Sequence, residues 1–190
     1  LFFSDAAIAA RVDVYNPIYR KKYSNYLKQM DKIYQDAKKF IHDPLWTKFG
    51  EDSGVKLYKR QDPVTKLYGA MGRTEIHADI SDILNLLISI EMKPSFDDRF
   101  NKGSYLEIYP CGLSVSHHCY SGTWPVSPRD LCILAGLKVL PNGGVIFGAS
   151  STESEKCPDI KGHVRGTLQV ATWELIPVPG KKHVYDCIYA

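Results

Sequence analysis

The sequence predicts an α+β domain, in which the helices are set apart from a curved antiparallel sheet. The predicted elements follow the order of one long helix, three strands, a second helix and about six further strands. The connections between strands are rich in Gly, Pro and Asn, which is typical of hairpins. Aromatic residues make up 12% of the chain and include 12 tyrosines. This composition favours strands around a lined space over a helical bundle.

The first element is a long amphipathic helix. The helical pattern extends over residues 5–42, and between residues 23 and 40 its apolar positions recur at i, i+3, i+4 and i+7. Asn16-Pro17 interrupts the pattern, so residues 1–16 are expected to form a separate arm or short helix. We therefore divide the chain into an N-terminal arm, residues 1–22, and one domain, residues 23–190.

Three strands and a second helix come next. The strands are predicted at residues 46–49, 55–60 and 67–76, where apolar residues lie between turn signals. Asp79 is a good helix N-cap, and the apolar run that follows has helical length to residue 90. Residues 94–100 are predicted to form a short helix or turn.

The rest of the chain is predicted to be strand, which makes about nine strands in all. Pro141-Asn-Gly-Gly144 marks a clear hairpin turn. A strongly curved sheet of this kind encloses space that helices must cover, and apolar contents suit such a space. The strands are predicted at residues 104–109, 113–120, 131–140, 145–150, 164–176 and 182–189.

Charge and cysteine usage exclude several classes of function. The net charge is +3 with both signs mixed along the chain, which argues against a nucleic-acid-binding protein. Five cysteines occur without a CxxC pattern, so a complete disulfide framework is not expected. His117, His118 and Cys119 are adjacent in a strand and point alternately to opposite faces, so these three cannot bind one zinc ion. We predict no metal and no cofactor.

The segment Ser121-Gly-Thr-Trp-Pro-Val-Ser-Pro-Arg-Asp130 places a tryptophan in a surface turn. Gly122, Pro125 and Pro128 are unsuited to the middle of a sheet, so the segment is expected to be a loop. The amphipathic ring of Trp124 suits a boundary between water and lipid. The alternative is that Trp124 folds back onto its own domain.

Four motifs together resemble the START (StAR-related lipid transfer) domain family, from about Tyr23 to the end of the chain. Trp46 with Gly54-Val-Lys-Leu-Tyr58 is similar to the opening motif of the family. Phe96-Asp97 stands where the family usually has Trp-Asp. Pro128-Arg-Asp130 resembles its PRD motif, and Lys161-Gly-His-Val-Arg-Gly166 resembles its KG-x-VR motif.

The resemblance implies a helix-grip fold with one lipid in a deep tunnel. Family members continue into a C-terminal helix that covers this tunnel, whereas the sequence here stops at Ala190, so this lid helix is expected to be missing. The implied function is non-enzymatic binding and transfer of a lipid between membranes. The resemblance is to the phosphatidylcholine/ceramide transfer branch, and a phospholipid such as phosphatidylcholine is the leading cargo.

The resemblance also assigns candidate residues. Lys93 stands where phosphatidylcholine carriers have an arginine on the lipid phosphate, and a lysine can bind phosphate as a point charge. Asp97 and His118 stand at the polar headgroup contacts of ceramide carriers; the alternatives are a fold-stabilising carboxylate and a strand histidine with satisfied hydrogen bonds. The membrane-contacting gate loop comprises Gly122, Thr123, Trp124, Pro125 and Val126.

Other matched residues are assigned structural roles: Trp46, Arg129, Asp130 and Arg165. Sterol carriers of the family place an arginine where this chain has Ala135, which counts against a sterol. The third polar contact of ceramide carriers falls near Gly148 or Ala149, which carry no polar side chain, and this counts against ceramide.

Several alternatives stay open. The cargo could be a sphingolipid or a sterol, and the chain could be a lipid-sensing regulatory module. The same architecture also hosts cyclases and hydrolases, in which Asp97 and His118 would be a catalytic pair. A triad of Cys119, His118 and Asp130 is discounted because neighbouring strand residues face opposite ways. We expect a monomer in the cytoplasm with transient membrane contact, and an exported location stays open.

Overall fold

The computed structural model of the chain describes residues 9–190, so the first eight residues of the predicted arm lie outside the described part. Helix α1 spans Pro17–Ile41 and helix α2 spans Ile80–Ile88. Two short 3₁₀ turns lie at Lys93–Ser95 and Pro110–Gly112. The strands are β1 Thr47–Asp52, β2 Val55–Gln61, β3 Tyr68–His77, β4 Phe100–Ile108, β5 Ser114–Tyr120, β6 Arg129–Val139, β7 Val145–Ser151, β8 Val164–Arg165, β9 Ala171–Pro177 and β10 Val184–Tyr189.

The strands form one sheet in the order β1-β2-β3-β10-β9-β7-β6-β5-β4. Every neighbouring pair on this path is antiparallel, and only the short β8 adds a parallel contact to β6. After β3 the chain crosses through α2 to the far edge at β4 and returns to β10 beside β3. This topology confirms the predicted α+β fold with a large antiparallel sheet.

Helix α1 packs on the outer face of the sheet. It begins after Asn16, whose side chain accepts a hydrogen bond from the Ile18 N–H at 3.0 Å, and Pro17 occupies the first helical position. The predicted interruption at Asn16-Pro17 is therefore confirmed as the start of the helix. The buried face comprises Tyr26, Met30, Ile33, Ala37 and Ile41.

The segment before α1 also contacts the sheet. The Ile108 N–H donates to the carbonyl of Ala10 at 2.8 Å, and the Val12 N–H donates to the carbonyl of Ile108 at 3.1 Å. Val12 and Val14 pack against the same apolar cluster as α1. These contacts cover part of the free edge of β4, where unpaired backbone groups would otherwise be open to association.

A buried carboxylate connects three segments of the chain. Glu107 on β4 has no exposed surface and lies 3.3 Å from the ammonium of Lys22 on α1 and 3.2 Å from that of Lys156 in the 152–163 loop. The Tyr109 hydroxyl donates to the same carboxylate at 2.5 Å. Burial alone would raise the pKa of Glu107, but these hydrogen bonds outweigh it and lower the pKa.

Two local predictions were wrong. The predicted strand 164–176 is divided into β8 and β9, because Arg165 turns toward Asp130 and draws β8 beside β6, while β9 pairs with β7. Phe100, which was assigned to a short helix or turn, instead opens β4 opposite Tyr120. In both cases the strand bounds depend on partners that are distant in sequence.

Candidate functional site

The concave face of the sheet encloses a cavity of about 620 Å³. Because side chains alternate along a strand, the residues of β5, β6 and β7 that line it are two positions apart. Its apolar wall includes Leu131, Ile133 and Ala135 from β6 and Phe147 from β7. Helix α1 lies on the opposite face of the sheet, so the strand residues that contact α1 are not the ones that line the cavity.

Helix α2 closes one side of the cavity with Leu86, Leu87 and Ile88. Tyr105 holds the end of this helix. Its hydroxyl donates to the carbonyl of Ile88 at 2.7 Å and accepts from the N–H of Ile90 at 3.3 Å. One cavity-lining side chain therefore satisfies backbone groups where the helix leaves them without helical partners.

Polar side chains of β5 form a line inside the cavity: Ser114, Ser116 and His118. The Ser116 hydroxyl and Nε2 of His118 are 3.0 Å apart. Nδ1 of His118 is buried and has no hydrogen-bond partner within residues 9–190. Burial, with a smaller contribution from the charge of Lys93, lowers the pKa of His118 to about 3. A neutral imidazole with one unused nitrogen therefore faces the cavity.

Lys93 brings a positive charge to the same wall. Its ammonium lies 5.6 Å from the ring centre of Phe96 and 5.9 Å from that of Phe100. Burial lowers the pKa of Lys93, while the nearby Asp97 carboxylate opposes this shift. Cation–π contacts stabilise the ammonium less than a close carboxylate would, so Lys93 is available to an anionic ligand.

All three residues predicted to bind a headgroup thus line one cavity: Lys93, Asp97 and His118. Sequence reasoning missed Ser114 and Ser116, although their spacing from His118 places all three on one face of a strand. It also missed Tyr105, Trp173 and Tyr189. Trp173 and Tyr189 stack with ring centres 4.3 Å apart across β9 and β10, a contact that depends on strand pairing.

The comparisons with solved structures agree with this architecture. The chain superposes on human StAR-related lipid transfer protein 5 with a TM-score of 0.75 and 17% identity, over 87% of this chain and 80% of that one. The STAR-related lipid transfer protein of Xanthomonas axonopodis, fragment 25–204, gives 0.66 and 20%, over 76% and 79%. The lipid transfer and protein localization domain of human StarD13 gives 0.65 and 17%, over 84% and 79%.

The chain has the helix-grip fold of START domains. At these identities the likeness concerns the fold. No protein-family model and no curated protein matches the sequence.

In this START fold the predicted gate loop follows β5 directly after Tyr120, which lines the cavity. The Trp124 side chain is 93% exposed, and Val126 is also exposed. The Val126 N–H donates to the carbonyl of Thr123 at 2.7 Å, which closes a tight turn, and the Trp124–Pro125 peptide is cis. Trp124 does not fold back onto the domain, and the cavity lining includes no residue of Gly122–Val126 among those described.

The four residues with predicted structural roles lie outside the cavity. The Trp46 indole N–H donates to the carbonyl of Phe40 at 2.6 Å, at the end of α1. Arg129 donates to the carbonyl of Ser127 at 2.7 Å, at the end of the gate loop. Asp130 and Arg165 form an ion pair of 2.8 Å between β6 and β8.

The discounted nucleophilic triad is indeed divided between the two faces of the sheet. His118 lies in the cavity, whereas Cys119 lies on the outer face, with Sγ 4.0 Å from Nε2 of His117. Burial raises the pKa of the Cys119 thiol, so the reactive thiolate is disfavoured. This arrangement separates the nucleophile from the histidine that a triad requires.

Proposed function

We propose that this START-fold domain binds one lipid in its cavity and transfers it between membranes without changing it chemically. The observation that carries the proposal is a mostly apolar cavity with a few polar groups, Lys93 and His118 among them, on one wall. The named functions of its structural neighbours, which are lipid transfer proteins and domains, support the same conclusion.

The physical task of such a carrier is to replace the contacts that a lipid loses on leaving a bilayer. Each methylene group exposed to water costs about 0.8 kcal/mol, so a lipid leaves a bilayer slowly when no protein takes it up. Apolar walls from α2, β6 and β7 would replace those contacts inside the protein. Lipid transfer requires no covalent bond to break. The enzyme alternative needs His118 and Asp97 as a catalytic pair, whereas His118 hydrogen-bonds Ser116.

The leading cargo is a phospholipid, because Lys93 provides a positive charge for a phosphate. The buried Nδ1 of His118 and the Ser116 hydroxyl add neutral hydrogen-bonding groups beside it. A phosphate oxygen accepts hydrogen bonds and carries negative charge, which suits this set. In this arrangement the acyl chains would lie against Leu131, Ile133 and Phe147.

The size of the cavity favours a second candidate, a compact lipid such as a sterol or a single-chain sphingolipid derivative. A sterol or a single-chain derivative would place one compact apolar body in this cavity of about 620 Å³, whereas a two-chain phospholipid must place two acyl chains there. Ala135 and Ala149 line the cavity but offer no charged or polar side chain to such a cargo.

Identification of the bound lipid separates these candidates. The purified protein would be extracted with organic solvent, its lipids identified by mass spectrometry, and labelled lipids tested for transfer between donor and acceptor vesicles. We expect a co-purified lipid and faster transfer than without protein. Transfer at the spontaneous rate for every lipid class would refute the carrier function, and a chemically altered product would favour an enzyme.

We also propose transient membrane contact through Trp124 and a cytoplasmic location. The exposed indole supports the first, and five free thiols fit a reducing compartment. Within residues 9–190, no helix has the length and apolarity needed to span a bilayer. Fractionation of cells that express the tagged chain tests the location: recovery in a secreted or lumenal fraction would contradict it.

A further inference from the structure

A second cluster of chemistry-bearing side chains lies on the outer face of the sheet, away from the cavity. The strand register places His117 opposite Cys132 and Cys119 opposite Asp130, so these four side chains form a rectangle on β5 and β6. Cys157, from the 152–163 loop, packs beside Cys132 in the same buried cluster. The proposed lipid function uses none of these groups.

The donor atoms in this cluster are close enough to share one ion. Nε2 of His117, a carboxylate oxygen of Asp130 and Sγ of Cys157 all lie within 4.8 Å of one another. The Cys119 sulfur is 4.0 Å from the same nitrogen of His117. Ligands of one tetrahedral zinc ion lie about 2.0–2.3 Å from the metal, so small side-chain movements would bring the donor atoms of His117, Asp130 and Cys157 to coordination distance, and the Cys119 side chain would have to rotate toward them.

We propose that this cluster is a binding site for a thiophilic divalent cation, with zinc as the natural ion. His117, Asp130 and Cys157 are the core ligands, and Cys119 completes a tetrahedral set. One imidazole, one carboxylate and two thiolates are donors that zinc accepts, and the thiolates disfavour magnesium and calcium. The ion would tie the 152–163 loop to strands β5 and β6.

Arg165 gives the carboxylate a suitable outer partner. Its Nε donates to Oδ2 of Asp130 at 2.9 Å, while Nη2 also donates to the carbonyls of Cys157 and Pro158, each at 3.1 Å. Metal-bound carboxylates are generally held by a further hydrogen bond of this kind. Arg165 therefore orients both Asp130 and the backbone that carries Cys157.

Metal entry has a defined proton balance. Cys119 and Cys157 each lose a thiol proton to solvent, and the two thiolates with Asp130 supply three negative charges around the ion. His117 coordinates through the lone pair of Nε2, so its ring proton moves to Nδ1. The 2.8 Å contact between His117 and Asp130 is then lost, because both side chains bind the metal instead. Affinity should therefore rise with pH.

Cobalt titration of the purified full chain tests the proposal. Cobalt(II) in this site should give tetrahedral visible bands and a thiolate-to-cobalt charge-transfer band at one ion per chain, and zinc should displace it. Cys157→Ser and His117→Gln should each weaken binding at least about tenfold. Cys187→Ser is the matched control, because that thiol is also buried but packs against α2 on the cavity side.

A stability measurement gives an independent result. Zinc should raise the melting temperature of the unaltered protein and of Cys187→Ser, but leave Cys157→Ser unchanged. If Cys157→Ser does not fold, His117→Gln decides the question, because its amide can still hydrogen-bond Asp130. The proposal is overturned if the unaltered protein gives no charge-transfer band, or if His117→Gln binds cobalt as tightly as the control.

Discussion

At the scale of single residues, the cavity combines the Lys93 ammonium and the nearby Asp97 carboxylate with the neutral imidazole of His118. His118 is buried in the wall and Lys93 is half-buried there, and the lysine charge contributes to the low pKa of the histidine. Protonation of His118 would place a second positive charge in a largely apolar space. The imidazole therefore stays neutral over the physiological pH range, which keeps its hydrogen-bonding pattern constant.

The first prediction concerns Lys93. Lys93→Met should reduce transfer and binding of phosphate-containing lipids about tenfold or more, because a hydrogen bond to a charged group contributes roughly 1.5–3 kcal/mol. Binding of an uncharged sterol should change little. Lys102→Met, at an exposed position of β4, is the control in the same vesicle assay. Equal transfer by both variants would mean that Lys93 does not contact the phosphate.

The second prediction concerns the pH dependence of stability. The folded pKa of His118 is about 3, below the ordinary histidine value of 6.5, so the unfolded chain binds the extra proton between these values. Stability should therefore fall as pH drops below about 6.5, by at most about 1.4 kcal/mol per pH unit. His118→Gln should flatten this slope.

Urea unfolding between about pH 5 and pH 7 measures the effect, because most carboxylates stay ionised there. His77→Gln is the control, since His77 is exposed beside Glu75. An unchanged slope in His118→Gln would show that His118 is not held neutral by burial.

At the scale of elements, α1 seats closely on the sheet through glycine. A Cβ added at Gly148 of β7 would lie 3.0 Å from Ile33 and 3.4 Å from Tyr34. The backbone of β7 and helix α1 can approach closely because Gly148 has no side chain between them. The same condition holds at Gly136 on β6, where an added Cβ would meet Tyr34 and Met30.

The third prediction follows from this packing. Gly148→Val should destabilise the protein by about 1–3 kcal/mol, since extra methyl groups force α1 away from the sheet. Chemical denaturation measures the change. Gly50→Ala on β1 is the control, because its added Cβ has no neighbour nearer than 4.0 Å. Similar stability of the two variants would contradict the close seating of α1.

The gate loop presents its apolar surface outward. The fourth prediction is that Trp124→Ala lowers binding to vesicles about tenfold, because a large apolar side chain gains about 1.5–3 kcal/mol on leaving water. Its melting temperature should not change, since Trp124 is exposed. Vesicle co-sedimentation measures the binding, with the exposed Phe49 changed to alanine as the control. Unaltered binding of Trp124→Ala would argue against membrane contact at this loop.

At the scale of the whole molecule, Glu107 joins α1, β4 and the 152–163 loop. The fifth prediction is that Glu107→Gln lowers the free energy of unfolding at neutral pH by about 1–3 kcal/mol, since two lysines and a tyrosine lose a charged partner. The folded pKa of Glu107 is below the ordinary glutamate value of 4.5. Its contribution is therefore present above about pH 4.5 and is lost as pH falls through the folded pKa.

Unfolding measured across the acid range tests this sign. In Glu107→Gln, the free energy of unfolding should fall less steeply as the pH is lowered into the acid range. Glu51→Gln is the matched control, because Glu51 forms an exposed pair with Lys48 at 2.8 Å and its loss should have no measurable effect. Equal stability of the two variants would mean that the buried cluster does not hold the segments together.

Much of the fold follows from local sequence pattern. The helical spacing of Tyr26, Met30 and Ile33 predicted the buried face of α1, and turn residues predicted most of the strands. Alternation on β5 correctly separated His118 from Cys119. Such signals depend on near neighbours in sequence, because periodicity and turn chemistry are local properties.

The remainder depended on partners distant along the chain. The division between β8 and β9 follows from Arg165 meeting Asp130, and the stacking of Trp173 on Tyr189 follows from the pairing of β9 with β10. The outer cluster around Cys157 arises only when the 152–163 loop folds over β5 and β6. No local pattern encodes which strands become neighbours.

Local sequence pattern and the motif resemblance were enough to predict the fold class, the order of elements and the main polar residues of the site. The tertiary structure was needed to place Ser114, Ser116 and Tyr105 in the cavity, and to bring Cys157 beside His117 and Asp130. The physical reason is that alternation assigns each side chain to a face, whereas sheet curvature and strand order decide which faces enclose the same space.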